Sequence, residues 1–268
     1  MRVRLGQLLI DSVGFDETLH RIEQLVDARR GGMVFTPNVD HVVVAERDAA
    51  LREAYTRASL VVADGQPIVW TSALLGHRLP AKVSGSDLFL PLMERAARRK
   101  DRVYLLGAGP GVAEEAARRL SSELGVMVCG TDAPRVGMSP LPDEDAVVAR
   151  VRAARPDLLL VCVGAPKAEL FLDRIRERVA PAVGLCFGGT LDFYVGRVRR
   201  APRWMQRAGL EWLFRLAQEP RRLARRYLIN DPAFLLVLLR TLRLPRSERV
   251  VDDAGAPALR SDGARAPD

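Results

Sequence analysis

The sequence predicts an α/β protein in which a mostly parallel sheet is flanked by helices and followed by a basic α-helical appendage. Short apolar, β-branched runs alternate with amphipathic stretches of helical period as far as about residue 193. Turns rich in Gly, Pro and polar residues close those runs, where open parallel sheets bind ligands. Positive charge is displaced to one end: residues 197–249 hold fourteen arginines against four acids, about +10, leaving about −2 for the rest of a chain of net +8.

In chain order, strands are expected at 33–35, 60–63, 103–106, 126–129, 158–163 and 183–187, and helices at roughly 15–30, 38–57, 67–75, 86–99, 110–124, 143–154 and 167–178. This alternation gives a Rossmann-like sheet over residues 1–195. From 196 to 245 the pattern changes to Arg- and Trp-rich helices at 202–219, 220–228 and 232–242. Each opens on a proline, which loses no donor in a first turn. Residues 246–268 are polar and rich in Gly, Ala and Pro, and are expected to be disordered.

Composition narrows the class. With 268 residues, 48% hydrophobic and mean hydropathy near zero, the chain can bury one large core or a core plus an appendage. The apolar run 234–239 is far short of the roughly 20 residues that span a bilayer, and residues 1–6 lack the apolar segment of a secretory signal. A cytoplasmic location follows as an expectation. Cys129, Cys162 and Cys186 sit in apolar runs without metal-ligand spacing and read as buried free thiols. His20, His41 and His77 fall in separate segments, which disfavours zinc. Arginine outnumbers lysine 38 to 3, so each arginine is not a contact in its own right.

The residues closing the strands carry the chemistry. Thr36-Pro37-Asn38 ends one strand and opens a helix; Asn38 can cap that helix, or Thr36 and the free amides can face a phosphate. Asp64-Gly65-Gln66-Pro67 puts a carboxylate at a strand tip, either a general base worth roughly 10²- to 10⁴-fold in rate or a turn Asp bonding its own backbone. Gly107-Ala-Gly109-Pro-Gly111 is close to a dinucleotide fingerprint, but Val112 replaces the third glycine. Gly164-Ala-Pro166-Lys167 and Gly188-Gly189-Thr-Leu-Asp192 allow close backbone approach, and Lys167 would add charge for a diphosphate or lie on the surface. Lys82-Val-Ser84-Gly85-Ser86-Asp87 leads into a helix that Ser84 or Ser86 can cap. Asp143-Glu144-Asp145 could be a metal-binding D-x-D, but acids in a helix's first turn are explained by its dipole. No metal and no cofactor is expected.

Arg222, Arg225 and Arg226 fall on neighbouring turns, with Trp204, Trp212, Phe214 and Phe234 as interfacial aromatics. The segment reads as a basic amphipathic anchor for an anionic membrane surface, where each Arg contributes about 1 kcal/mol. Covering the body is the plainer alternative, and nucleic acid is disfavoured as a partner.

Taken in order, Thr36-Pro37-Asn38, Ala63-Asp64-Gly65, Val83-Ser84-Gly85-Ser86-Asp87-Leu88, Leu106-Gly107-Ala108-Gly109, Gly164-Ala165-Pro166-Lys167 and residues 196–202 (GRVRRAP) resemble the WecG/TagA/CpsF family of bacterial glycosyltransferases over about residues 30–230. The resemblance implies a UDP-sugar donor, a polyprenyl-diphosphate-linked sugar acceptor, inversion without a metal, and a role in cell-envelope polysaccharide or teichoic acid assembly. It makes residues 1–195 the nucleotide-sugar-binding catalytic domain and 196–245 the membrane-associating appendage, at the inner face of the membrane. By the same resemblance Asp64 is the general base, Thr36 and Asn38 face the sugar or diphosphate, and Arg215, Arg222 and Arg225 reach over the site to neutralise the leaving UDP. Ala168 stands where the family commonly carries Gln, and Lys82 where Arg is frequent. The donor therefore stays open among N-acetylmannosamine, glucose and glucuronic acid. Self-association also stays open. The rival readings are a nicotinamide-dependent oxidoreductase using the Gly107 loop and a non-catalytic membrane-binding module.

Overall fold

The computed structural model describes residues 1–252. It opens with a hairpin that the sequence reading did not anticipate. Strands β1 (Arg2–Leu5) and β2 (Leu8–Asp11) pair antiparallel, and Val3, Leu5, Leu8 and Ile10 point into the core. Helix α1 (Phe15–Ala28) and strand β3 (Gly32–Phe35) follow. The single helix expected over 38–57 is two, α2 (Val39–Ala45) and α3 (Ala49–Arg57). Asp48 starts the second by accepting from the Leu51 N–H at 3.0 Å, while Arg52 Nη1 donates to the Ala45 carbonyl at 2.9 Å, so both ends at the break are satisfied.

The body then alternates as its periodicity predicts: β4 (Leu60–Val61), α4 (Gln66–Leu74), α5 (Gly85–Arg99), β5 (Arg102–Gly107), α6 (Val112–Leu124), β6 (Met127–Asp132), α7 (Glu144–Ala154), β7 (Leu158–Cys162), α8 (Lys167–Val179), β8 (Val183–Cys186) and α9 (Thr190–Tyr194). Six strands form one parallel sheet in the order β4-β3-β8-β7-β5-β6. Successive side chains feed opposite layers. Val34, Leu105, Leu160 and Leu185 pack with α1, α5 and α6, whereas Met33, Phe35, Leu159 and Val161 pack with α3, α7 and α8. All five residues of β7 are buried, as a strand covered on both faces requires. The carboxyl ends of all six strands open on one edge, and β3 is flanked by β4 on one side and β8 on the other. The ligand crevice of an open α/β sheet forms at such a point.

The appendage comprises α10 (Arg203–Arg207), α11 (Glu211–Gln218), α12 (Pro220–Ala224), a π-helical turn (Arg225–Asn230), a 3₁₀ turn (Asp231–Ala233), α13 (Phe234–Leu242), α14 (Arg246–Arg249) and β9 (Val250–Val251). The expected 202–219 helix breaks at Gly209, whose φ is +71°. A Cβ there would meet the Trp70 ring at 2.7 Å, so the chain crosses α4 where only glycine fits. The expected 220–228 helix ends at Ala224 and widens into the π turn. Val237, Leu238 and Thr241 of α13 are buried, and Thr241 Oγ1 accepts from the Gly6 N–H at 3.0 Å. Strand β9 pairs antiparallel with β1, Val3 opposite Val250. Residues 246–251, expected to be disordered, thus form a helical turn and a strand; 253–268 lie outside the described residues. Among the described residues no helix is long and apolar enough to cross a membrane.

Candidate active site

Asp64 lies three residues beyond the end of β4. Its N–H donates to the Pro37 carbonyl at 2.9 Å, tying the β4 turn to the β3 turn, while the Thr36 hydroxyl donates to the Cys186 carbonyl at 3.4 Å and ties β3 to β8. Burial pushes the Asp64 carboxyl up to about 6. Lys82 and His41 oppose that rise, and Glu211 and Asp87 add to it. Asp64 is therefore ionised at neutral pH yet basic enough to take a proton.

Asn38 caps α2. Its side chain accepts from the Asp40 N–H at 3.1 Å, and its own N–H donates to His41 Nδ1 at 3.2 Å, a capping box built with His in place of the usual Glu or Gln. His41 Nδ1 also lies 2.9 Å from Asn38 Oδ1, and its Nε2 lies 3.2 Å from Glu169 Oε1; His41 and Glu169 are both buried. Asn38 Oδ1 also accepts from Arg226 Nη2 at 2.8 Å, and Arg226 Nε pairs with Asp40 at 3.3 Å.

A second cluster fixes the start of α5. The Ser84 side chain accepts from the Asp87 N–H at 3.2 Å and its hydroxyl donates to Asp87 Oδ2 at 2.7 Å. Burial alone would raise the Asp87 carboxyl, but Lys82 at 2.7 Å and Arg200 at 2.6 Å hold it below its ordinary value. Arg200 reaches on to Glu211 of the appendage at 3.6 Å.

Two cavities meet at Asp64. The larger, about 560 Å³, lies over the carboxyl ends of β3, β5, β7 and β8 and is lined by Thr36, Asn38, Asp64, Gly85, Gly109, Gly164, Gly188, Asp192 and Arg215 among others. The smaller, about 270 Å³, lies between α4 and the appendage; Gly65, Lys82 and Ser84 join Asn38, Asp64 and Arg215 in its wall. Arg215 stacks 5.4 Å above the Phe193 ring, close to Gly189, and Arg226 lines both cavities.

The remaining expected residues lie elsewhere. Asp87 stands behind Lys82. Gly107, φ +103°, shapes the loop: a Cβ would meet the Cys162 carbonyl at 2.8 Å. Pro166 caps α8, and Lys167 on its first turn is exposed and lines neither cavity, because the buried face of that turn is Ala168 and Glu169. Arg225 is exposed on the π turn, whose wider register directs Arg226 inward instead. The side chain of Arg222 lies outside the described ones. His41, Glu169, Arg226, Glu211, Trp212 and Asp231 were not singled out as site residues from the sequence; the helix-capping position of His41 was their one local signal. Asp143 stands at the N-cap position of α7 without a side-chain capping bond, and among the described residues no three His, Cys, Asp or Glu side chains group as a metal site.

A carboxylate of raised basicity at the junction of a phosphate-friendly crevice and a second cavity, with guanidinium groups over both, suits group transfer between two bound substrates. Comparison with known proteins agrees. The model of the glycosyl transferase WecG/TagA/CpsF family matches residues 3–248. The N-acetylglucosaminyldiphosphoundecaprenol N-acetyl-beta-D-mannosaminyltransferase of Bacillus subtilis strain 168 is 30% identical over 216 residues, 80% of this chain and 82% of its own. Its namesake from Bacillus spizizenii strain W23 is 29% identical over 216 residues, 80% and 81% respectively. The chain is a glycosyltransferase and belongs to the WecG/TagA/CpsF family.

Proposed function

We propose that this enzyme transfers a sugar, of the N-acetylmannosamine type as in its named relatives or else glucose or glucuronic acid, from a UDP-sugar to a polyprenyl-diphosphate-linked sugar, with inversion, in cell-envelope polymer assembly. The observation that carries the reading is Asp64, raised to about 6 where the two cavities meet. The donor lies in the larger cavity, its diphosphate against the glycine turns and its leaving charge met by Arg215 and Arg226. The acceptor hydroxyl enters beside Asp64, gives it the proton and attacks the anomeric carbon as the bond to UDP breaks on the opposite face. Direct displacement inverts that carbon, so an α-linked donor would give the beta form that the relatives' name prints.

The guanidinium groups take the electrostatic role a metal would fill, so no metal is required. The exposed Trp204, Leu228, Ile229, Leu235 and Leu236, interspersed with exposed arginines such as Arg203, Arg221 and Arg225, rest on the anionic inner face of the membrane where the acceptor resides. Membership of a glycosyltransferase family displaces the oxidoreductase and binding-module readings. The test is UDP release from a panel of UDP-sugars with a short-chain lipid-diphosphate-sugar acceptor, with and without EDTA. Acceptor-dependent, EDTA-resistant release with one donor is expected; no release with any donor overturns the proposal.

A further inference from the structure

The smaller cavity is shared between the body and the appendage. Gln206, Gly209, Glu211, Trp212, Tyr227 and Asp231 come from the latter, opposite Gln66 and Pro67 of α4. Its chemistry differs from that of an anion site. Of its cations, Lys82 is paired with Asp87, Arg226 leans on Asn38 and Asp40, and Arg215, shared with the larger cavity, stacks on Phe193; what the appendage adds beyond these arginines is chiefly acceptors and one aromatic face. Trp212 is 39% exposed and braced by Tyr227, ring centroids 5.8 Å apart at 59°. Asp231 has its Oδ1 atom buried without a partner. Burial pushes its carboxyl up to about 6, which marks it as under-solvated and short of donors.

A flat indole in the same wall as an unpartnered carboxylate oxygen matches a pyranose, which offers an apolar ring face and a rim of O–H or amide N–H donors. A cavity of about 270 Å³ has room for a sugar ring. Asp64 lies in the wall of this cavity, so a sugar held here has the base within the same space.

We propose that the smaller cavity is the acceptor-sugar subsite and that the appendage reads this sugar, with Trp212 as its platform and Asp231 as acceptor for its hydroxyl or amide hydrogens. The assignment rests on the glycosyl-transfer reading above. It makes the appendage a determinant of acceptor specificity as well as a membrane contact.

The test uses the full chain carrying Asp231→Asn or Trp212→Phe, a short-chain lipid-diphosphate-sugar acceptor, and the same lipid diphosphate without sugar as a competitive inhibitor. Asp231→Asn is expected to raise the acceptor KM about ten- to a hundredfold, since an amide nitrogen replaces one charged acceptor oxygen. The Kd for UDP-sugar and the inhibition constant of the sugarless lipid should stay within about twofold. Trp212→Phe should abolish an acceptor-induced change in tryptophan fluorescence that the sugarless lipid does not elicit. An unchanged acceptor KM overturns the assignment, as does equal weakening of the sugarless lipid, which would put Asp231 at the diphosphate or merely in the appendage's packing. Absence of acceptor-dependent transfer by the unmodified enzyme would instead overturn the reading of its function, and this subsite with it.

Discussion

Asp64 is expected to be a stability cost as well as a base, and Asp64→Asn separates the two roles. Its carboxyl is raised from 3.8 to about 6, chiefly by burial. Between those values the folded state holds a proton that the unfolded chain has released. Stability therefore falls as pH rises from about 4 to about 6, and above 6 the folded protein carries a carboxylate it disfavours. At about 1.4 kcal/mol per pH unit the full displacement corresponds to ~3 kcal/mol; solvent in the open cavity screens the charge, and about half of that is the expected effect. Asparagine keeps the shape and removes the charge. At pH 7.5 the variant should melt about 3–6 °C higher than the native protein by circular dichroism. That gain should shrink below pH 6 and vanish below about pH 3, where Asp64 is neutral in both states. Turnover should fall at least about 10²-fold. A variant no more stable at pH 7.5, or equally stabilised at pH 4, would refute the electrostatic reasoning; a stabilised variant with near-normal turnover would remove Asp64 as the base.

Three further outcomes follow from the same geometry. The rate at low substrate should climb with pH to a plateau above about 6, as Asp64 ionises, and a flat profile from pH 5 to 8 would contradict its role. Arg226→Ala should lower kcat/KM at least about tenfold, whereas Arg225→Ala should reduce vesicle binding with little change in turnover on a short-chain acceptor; the reverse ranking would show that the π turn presents the other arginine in solution. Truncation after Val195 should abolish lipid-acceptor transfer. It should also lower the melting temperature, because burying Val237 and Leu238 is worth about 3 kcal/mol or more; an unchanged melt would mean that α13 is not part of the core.

The parts legible in the sequence are those whose signal is local. The uninterrupted apolar run of β7 and the amphipathic period of α1, α5 and α6 announce their environments within a dozen residues. Thr36, Asn38 and Asp64 could be singled out because a parallel sheet places its chemistry at strand ends. The hairpin β1–β2 was illegible: its strands are four residues long, and its third partner comes some 240 residues later. The Glu169–His41 and Arg226–Asn38 contacts, spanning 128 and 188 positions, leave no trace in spacing. Lys167 shows what the sequence leaves open. A cation at a helix start beside glycines looks like a phosphate ligand, but which side of the turn faces solvent depends on how α8 packs.

The pairing of β9 with β1 bears on how the protein is made. Residues near the start of the chain emerge first from the ribosome, yet the sheet containing Val3 gains its third strand only once Val250 is available. Until then the hairpin has an unprotected edge, and α13 has not covered Val42 or the Gly6 turn. The body can collapse on its parallel sheet as it is synthesised, but this long-range closure comes last. A premature stop in the appendage would therefore expose, at the opposite end of the chain, a strand edge open to pairing with another molecule.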